Sequence, residues 1–337
     1  MVWHKPWLDA AITRLPGKVM LMAKPSSQAG MVLAEHAGLE IFPLLRSERG
    51  RKGRHDGVIG FFRLVLALRS TRADAVWILH RSWRYGAAAW LAGIPERSGY
   101  GLGKQRWFLN KGEGLDDSFR GAHPRASASA FFAEQGMVLT DTHPRIVPVD
   151  AAIARASRIL EGAGPLIIFG VGAADAPRRW SPLHFAALLD KLARRYPGYS
   201  FALCGSPAEA GIGDEICAAL SSATPSPMMV FDQKIDTVIA LHAAARLYVG
   251  NDTSLINIAA AAGTPAVRIF ASTLSVLDSP LIRTVLPADR ARLDIPGSIN
   301  DILPDEVMPE IAHVLEASAP HMSARLSKSK KRRKTDA

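Results

Sequence analysis

Cysteine and long apolar stretches are what this 337-residue chain has least of. Its two cysteines, Cys204 and Cys217, fit neither a disulfide framework nor the spacing of a metal site. The ten histidines show no ligand-like spacing either, so no metal is expected. No apolar run reaches the ~18 residues of a membrane-spanning helix, and the first residues lack the apolar core of a secretory signal. These absences predict a cytoplasmic protein in a reducing compartment.

The composition is that of a folded protein with a basic balance. Hydrophobic residues make up 48% of the chain and charged residues 21%, and the length suits two domains. The formal net charge is +10, but the last thirteen residues hold seven Lys and Arg and only one acidic residue. We expect a basic disordered tail over residues 321–337, which is either solvated or bound to an anionic membrane surface, and no specific nucleic-acid partner.

Short apolar runs alternate with helical patterns along most of the chain. In the first half, strands are predicted at 18–23, 39–44 and 75–80, and helices at 26–37, 58–69 and 85–92. The second half predicts strands at 165–169, 199–204, 228–231, 247–249 and 266–270, and helices at 150–162, 182–196, 209–221, 237–245, 254–262 and 305–317. The pattern weakens over 101–150. This order predicts an α/β protein with two doubly wound Rossmann-like domains, 1–149 and 150–320, facing each other across a cleft.

The segment YVGNDTSLINIAAAAGTPAVRIF, residues 248–270, is the most informative. A strand ends near Gly250, and an Ala-rich helix begins after a polar turn. Asp252 is placed to cap this helix, and the hydroxyls of Thr253 and Ser254 add to its free N–H groups. Such a helix start suits a diphosphate, although the same residues also suit a plain helix cap.

Two further strand-to-helix loops carry polar residues. The first, GVGAADAPRRWSP, contains Gly172 and places Arg178 and Arg179 just before a helix that Ser181 and Pro182 open. The arginines would clamp phosphate oxygens or remain a solvated pair. In the second loop, GSPAE, Glu209 would accept ribose hydroxyls or cap the next helix.

Together, GVGAADAPRRWSP, GSPAE and GNDTSLINIAAAAGTP resemble the C-terminal domain of glycosyltransferase family 9, the bacterial ADP-heptose:lipopolysaccharide heptosyltransferases. The first half is similar as well, through ADAVWILHRSWRYGAAAWLAGIPERSGYG. The resemblance covers roughly residues 5–318 and implies the two-domain GT-B fold. It also implies a metal-independent, inverting glycosyltransferase that needs no cofactor and moves a sugar, heptose from ADP-heptose, onto lipopolysaccharide core or a related glycan.

By this resemblance the second domain binds the nucleotide-sugar donor and the first binds the acceptor. Arg178 falls where the family has a lysine that neutralises the leaving diphosphate. The implied donor-binding residues are Gly172, Arg178, Arg179, Glu209, Asp252, Thr253, Ser254 and Asn257. The implied contacts to the anionic lipopolysaccharide acceptor, at the inner face of the inner membrane, are Arg46, Arg49, Arg51, Lys52 and Arg54. A solvated charge run is the alternative for these five.

The resemblance also has departures. The family's opening strand and R-x-G-x-L-G-D loop, whose Asp is the general base, should precede Pro6, where only five residues stand. We therefore expect this strand and this base to lie outside the given chain, and no catalytic base is named. In the donor motif Ser254 replaces a glycine, Asn257 a histidine and Ala271 a frequent glycine. The alternative function is a non-catalytic relative that binds a nucleotide sugar or a glycan.

Overall fold

The computed structural model describes residues 1–48, 50–273 and 279–317. Arg49 and the predicted tail, 321–337, lie outside these residues. The chain divides into two compact units, Met1–Pro144 and Arg145–Ala337, whereas the sequence places the boundary at 149/150. None of the described helices is both long enough and apolar enough to cross a membrane.

The described part of the first unit contains five α-helices and four short strands. The helices are α1 Lys5–Arg14, α2 Ala29–Val32, α3 Gly57–Ser70, α4 Trp83–Leu91 and α5 Pro124–Glu134, and the strands are β1 Met20–Ala23, β2 Glu40–Pro43, β3 Ala75–Ile78 and β4 Glu96–Gly99. The predicted helix over 26–37 is wrong. A 3-10 turn, Pro25–Ser27, and the single turn α2 replace it, because Gln28 between them has a left-handed backbone with φ +50°.

Helix α5 lies in the stretch where the sequence pattern weakens. Its first turn begins at Pro124, the position where proline is tolerated in a helix. Phe131 and Phe132 are fully buried, and both rings pack edge-on against Trp77 with centroids 5.7 and 5.4 Å away. The aromatic core of the first unit therefore depends on a helix that was not predicted from the sequence, because glycines and prolines in the flanking segments weaken the helical pattern.

The strands of the first unit form two separate parallel pairs. Strand β1 pairs with β2, and β3 pairs with β4. Among the described residues each of these four strands, β1 and β3 included, has one edge without a partner strand. Both β1 and β3 are apolar in sequence, MLMA and AVWI, yet only Ile78 among their residues is buried. The doubly wound sheet predicted for this unit is thus present as two halves.

The second unit is a complete doubly wound domain. Its strands are β5 Leu166–Gly170, β6 Ser200–Cys204, β7 Met228–Val230, β8 Leu247–Asn251, β9 Ala266–Ile269 and β10 Ile282–Val285, and its helices are α6 Asp150–Ile159, α7 Pro182–Arg195, α8 Ala210–Ala219, α9 Ile235–Ala244, α10 Ser254–Ala261 and α11 Pro304–Ala317. The described strands form one parallel sheet in the order β10-β9-β8-β5-β6-β7. Every residue of β5, β8 and β9 is buried, as expected of a sheet covered on both faces.

Most elements of the second unit begin and end within two residues of the prediction. Two elements are exceptions: α6 ends at Ile159, before its predicted end at 162, and no strand was predicted where β10 lies. Two apolar clusters cover the two faces of the sheet. Ile167 and Phe169 of β5 belong to one, and Leu166 and Ile168 to the other. This alternation follows from successive side chains pointing to opposite faces of a strand.

Candidate functional site

The carboxyl ends of β5, β6 and β8 lie side by side. Gly170 at the end of β5 is in register with Cys204 of β6 on one side and with Gly250 of β8 on the other. The chain leaves β5 toward β6 and β7, and later returns to the opposite side of β5 as β8. The order in which strands are added to the sheet therefore reverses between β5 and β8, and ligands of such sheets bind at this switch point.

Two glycines allow close contact between backbone and side chain at the switch point. A Cβ atom on Gly250 would overlap the Gly170 carbonyl, and a Cβ atom on Gly170 would overlap the hydroxyl of Tyr248. Tyr248 is fully buried, and burial raises the pKa of its hydroxyl far above the usual range. The residues that follow Gly170 and Gly250 are thereby held next to each other.

Asn251 joins the two loops that leave β5 and β8. Its side chain is completely buried. The Oδ1 atom accepts from the Trp180 N–H at 3.0 Å, and Nδ2 donates to the carbonyls of Val171 at 2.9 Å and Gly172 at 3.2 Å. Asn251 was not among the site residues predicted from the sequence. A polar residue at the last position of a buried strand was the available signal.

Asn251→Ala is expected to lower the free energy of unfolding by about 3 kcal/mol, because it leaves one buried N–H and two buried carbonyls without their partner. Urea denaturation measures this change. Asn300→Ala is a matched control, since the Asn300 Oδ1 atom accepts from the exposed Ser181 N–H at 2.7 Å, and water can replace it. A similar loss in both variants would contradict the joining role of Asn251.

Asp252 binds two arginines from other elements. Its Oδ2 atom accepts from Nη2 of Arg178 at 3.0 Å, and its backbone carbonyl accepts from the same nitrogen at 3.2 Å. Nη1 of Arg268 lies 3.5 Å from Oδ1. Arg268 is buried, whereas the Arg178 side chain is 49% exposed. The structure thus brings Arg178 and Asp252 together, and it leaves the Arg178 guanidinium open to solvent.

The cap of helix α10 is Thr253 rather than Asp252. The Thr253 side chain accepts from the Leu255 N–H at 3.3 Å, so the prediction that Asp252 caps the helix is wrong. The carboxylate is instead engaged by the two arginines. Ser254 is the first helical residue, and Asn257, one turn on, donates to the Thr253 carbonyl at 3.3 Å. The start of α10 and its positive dipole end therefore adjoin Arg178.

Arg179 and Ser181 shape the loop before α7. Both Nε and Nη2 of Arg179 donate to the Ala173 carbonyl at 3.0 Å, so this guanidinium closes the loop on itself. The Ser181 hydroxyl accepts from the Leu183 N–H at 3.3 Å, which confirms the predicted cap of α7. Trp180 between them is fully buried, and its Nε1 donates to the Ile302 carbonyl at 2.8 Å.

Glu209 caps its own turn and also reaches the neighbouring loop. Its Oε2 atom accepts from the N–H and the hydroxyl of Ser206, at 2.7 and 2.8 Å, in a capping box. The carboxyl group also lies against Gly172, where any Cβ atom would overlap it. The structure therefore shows the capping alternative for Glu209 and places it directly beside the loop after β5.

The basic segment of the first unit surrounds a concavity of about 640 Å³. It is lined by Pro25, Leu45, Arg46, Glu48, Arg51, Lys52, Gly53 and Arg54. Arg51, Lys52 and Arg54 are exposed, whereas Arg46 is partly buried and forms an ion pair with Asp56 at 2.6 Å. Four of the five predicted acceptor-binding residues thus line one cavity, and the fifth, Arg49, lies outside the described residues.

His80 follows strand β3 in the first unit and was not selected from the sequence. Burial lowers the pKa of His80, and Arg46, Lys24 and Arg81 lower it further, so the ring is neutral at pH 7. Its Nδ1 atom accepts from the Ser82 N–H at 2.9 Å. The proton of the neutral ring is therefore on Nε2, which makes this nitrogen a donor and not a base.

One cluster in the first unit has the composition of a metal site. Ligand atoms of Asp9, Glu35 and His36 all lie within 4.8 Å of one another. The buried Lys5 Nζ, however, already contacts both oxygens of Asp9, at 3.0 and 2.9 Å, and also Glu35. An ammonium group supplies the positive charge that these carboxylates need, so the cluster serves as an ion-pair network between α1 and the segment after α2.

This protein is an α/β protein of the GT-B fold class. It has two α/β units, and the start of α10 lies beside Arg178 at the switch point of the second unit. The family model "Glycosyltransferase family 9 (heptosyltransferase)" matches residues 61–284. The chain therefore belongs to glycosyltransferase family 9 and is a glycosyltransferase.

Known proteins similar to this chain cover most of its length. Lipopolysaccharide heptosyltransferase 2 of Salmonella typhimurium is 27% identical over 276 residues, which are 75% of this chain and 78% of that protein. The structure of E. coli ADP-heptose LPS heptosyltransferase II matches with a TM-score of 0.71 and 24% identity, covering 95% of this chain and 96% of that one. An E. coli heptosyltransferase solved with ADP-2-deoxy-2-fluoro heptose matches with a TM-score of 0.64 and 17% identity, covering 93% and 95%.

Proposed function

We propose that this protein transfers heptose from ADP-heptose onto lipopolysaccharide core with inversion at the sugar carbon and without a metal ion or cofactor. The observation that carries the proposal is the half-exposed Arg178 guanidinium beside the start of α10 at the switch point of the sheet. The similar proteins named above are heptosyltransferases, and one was solved with an ADP-heptose analogue.

In the proposed complex the diphosphate lies at the start of α10. The hydroxyls of Thr253 and Ser254 and the free N–H groups of the first turn donate to its oxygens. Gly172 and Arg179 shape the loop that faces this helix start, and Glu209 lies beside that loop, where its carboxyl group would accept ribose hydroxyls. Asn257, one turn into α10, completes the donor side.

Asp252 acts on the donor through its arginines. A carboxylate and a diphosphate are both anionic acceptors, so they cannot hydrogen-bond to each other and they repel. Asp252 instead holds the guanidinium of Arg178 at 3.0 Å. Its second oxygen faces the buried Arg268 at 3.5 Å. Asp252 is therefore a positioning residue for the cation that meets the diphosphate.

The reaction is a displacement at the anomeric carbon. An acceptor hydroxyl oxygen forms the new bond to this carbon, while the bond to the diphosphate oxygen breaks and its electron pair leaves with ADP. Negative charge grows on the diphosphate as the sugar departs. Arg178 and the dipole of α10 lie where this charge develops and stabilise it without a metal ion. The hydroxyl proton passes to a base that the described residues do not identify.

The acceptor side is assigned to the basic cavity of the first unit. Lipopolysaccharide core is anionic, and the cavity presents the exposed side chains of Arg51, Lys52 and Arg54. A volume of about 640 Å³ is within the usual range for pockets that bind small molecules. The cavity also contains Glu48, which accepts a hydrogen bond from the Ser26 hydroxyl.

Asp252→Ala is expected to weaken ADP binding by about tenfold, because Arg178 loses its charge-assisted hydrogen bond and its fixed position. Isothermal titration calorimetry with ADP measures the affinity. The sign of the effect tests the role: if Asp252 were only a nearby anion, its removal would strengthen ADP binding. Asp175→Ala removes an exposed carboxylate from the same region, in the loop after β5, and should not weaken ADP binding.

Transfer itself is tested by ADP release from ADP-heptose with a lipopolysaccharide-core acceptor. ADP release that depends on the acceptor supports the proposal. Binding of ADP-heptose without any transfer, in a chain that melts cooperatively, would favour the non-catalytic nucleotide-sugar-binding relative instead.

A further inference from the structure

Helix α3 presents four large apolar side chains to solvent. Val58 is 75% exposed, Ile59 72%, Phe62 56% and Leu66 66%. Their spacing places them on one face of the helix, since residues three, four and seven positions apart are neighbours on its surface. Scattered exposed apolar residues are ordinary, but a continuous apolar face on a helix marks an interaction site.

This face is exposed because the opposite face of α3 is fixed in the core. Leu64 on that face and Val65 at its edge are buried in one cluster with Ala88 and Ala89 of α4. Gly60 lies so close to the backbone of residues 54 and 55 that a Cβ atom there would overlap it. The helix therefore cannot turn its apolar side inward without losing these contacts.

Basic residues surround the apolar face. Arg63 and Arg69 are exposed on α3 itself. Exposed Arg51, Lys52 and Arg54 precede the helix and line the basic cavity. The one acidic residue between positions 50 and 70 is Asp56, and Arg46 already pairs with it at 2.6 Å. Large apolar side chains next to arginines characterise helices that lie in the headgroup layer of an anionic membrane.

We propose that α3 docks this protein on an anionic lipid bilayer, with the helix axis in the plane of the membrane. Ile59, Phe62 and Leu66 enter the boundary between headgroups and acyl chains, and Arg63 and Arg69 extend to the lipid phosphates. The basic cavity immediately before α3 in the chain is then held close to the membrane surface.

A second copy of the chain is a poorer occupant of this face. In a two-fold symmetric contact the same patch meets itself, so Arg63 and Arg69 of one copy would approach those of the other. Like charges brought together in this way oppose association. An anionic bilayer satisfies both the apolar and the basic residues.

Flotation with lipid vesicles tests the proposal without donor or acceptor, so its outcome does not depend on the proposed function. The probes are vesicles of phosphatidylcholine alone and vesicles with about one third phosphatidylglycerol. Phe62→Gln/Leu66→Gln removes the apolar contact, and Arg63→Gln/Arg69→Gln removes two charges. The matched control Val138→Gln/Leu183→Gln changes apolar residues that are 72% and 67% exposed elsewhere.

The wild-type protein and the control are expected to bind the anionic vesicles, and both α3 variants to bind them at least about tenfold more weakly. All variants should keep the wild-type melting temperature, since the changed side chains are exposed. Wild-type binding by Phe62→Gln/Leu66→Gln would overturn the proposal. Failure of the wild-type protein to bind either kind of vesicle would also overturn it. A wild-type dimer that Phe62→Gln/Leu66→Gln converts to a monomer in sedimentation experiments would overturn it as well.

Discussion

Arg178→Ala is expected to lower the turnover number by about 10²–10³-fold while weakening the binding of ADP-heptose by less than about tenfold. The Arg178 guanidinium is half-exposed and 3.0 Å from Asp252, in contact with the start of the helix where the diphosphate is proposed to lie. Its attraction to the diphosphate grows as the sugar departs and ADP takes up the full charge. An interaction that strengthens toward the transition state acts mainly on turnover.

Single-turnover and steady-state measurements of ADP release separate the two effects of Arg178→Ala. Arg178→Lys is expected to recover part of the turnover, because it restores the charge but not the planar, bidentate donor group. Arg194→Ala, which removes an exposed arginine from the last turn of α7, is the control for the loss of a positive charge. Wild-type turnover in Arg178→Ala would remove this residue from the mechanism.

A chain extended ahead of Met1 by a strand and an R-x-G-x-x-G-D loop is expected to melt about 5 °C or more above the 337-residue chain and to turn over about 10²–10⁴-fold faster. The physical reason for the first effect is that the described strands of the first unit, β1 and β3 among them, have open edges. A further parallel strand would pair with such an edge and cover apolar residues such as Met22 and Trp77, which are only partly buried.

The second effect has a separate cause, since the loop would bring the aspartate that the family resemblance implies as the general base. Calorimetry and acceptor-dependent ADP release measure the two effects. An extended chain whose loop ends in Asn instead of Asp is the matched control. It should keep the higher melting temperature and lose the gain in turnover. If the 337-residue chain melts as high and turns over as fast as the extended chain, the base must be sought among its own residues.

The fold class of the second unit and the positions of its site residues in the loops could be predicted from the sequence. Helix α7 was predicted at 182–196 and runs Pro182–Arg195, and the strand predicted at 199–204 runs Ser200–Cys204. Buried parallel strands are short, nearly continuous apolar runs between turn residues, so they can be predicted without any tertiary information. The polar loops could be predicted as well, because each begins where a predicted strand ends.

The contacts between these residues could not be predicted, because they depend on how the strands are arranged in the sheet. Arg178 and Asp252 are 74 positions apart. They pair because β8 lies next to β5 in the sheet, which brings the loops after these two strands together. The same arrangement gives Asn251 its partners in the loop after β5, and the two arginines that engage Asp252 leave Thr253 to cap α10. Periodicity also predicted α3 as a helix, but its apolar face is exposed because packing against α4 fixes which side turns inward. Local pattern specifies the elements, whereas the contacts between distant residues depend on strand order and packing, which no local pattern contains.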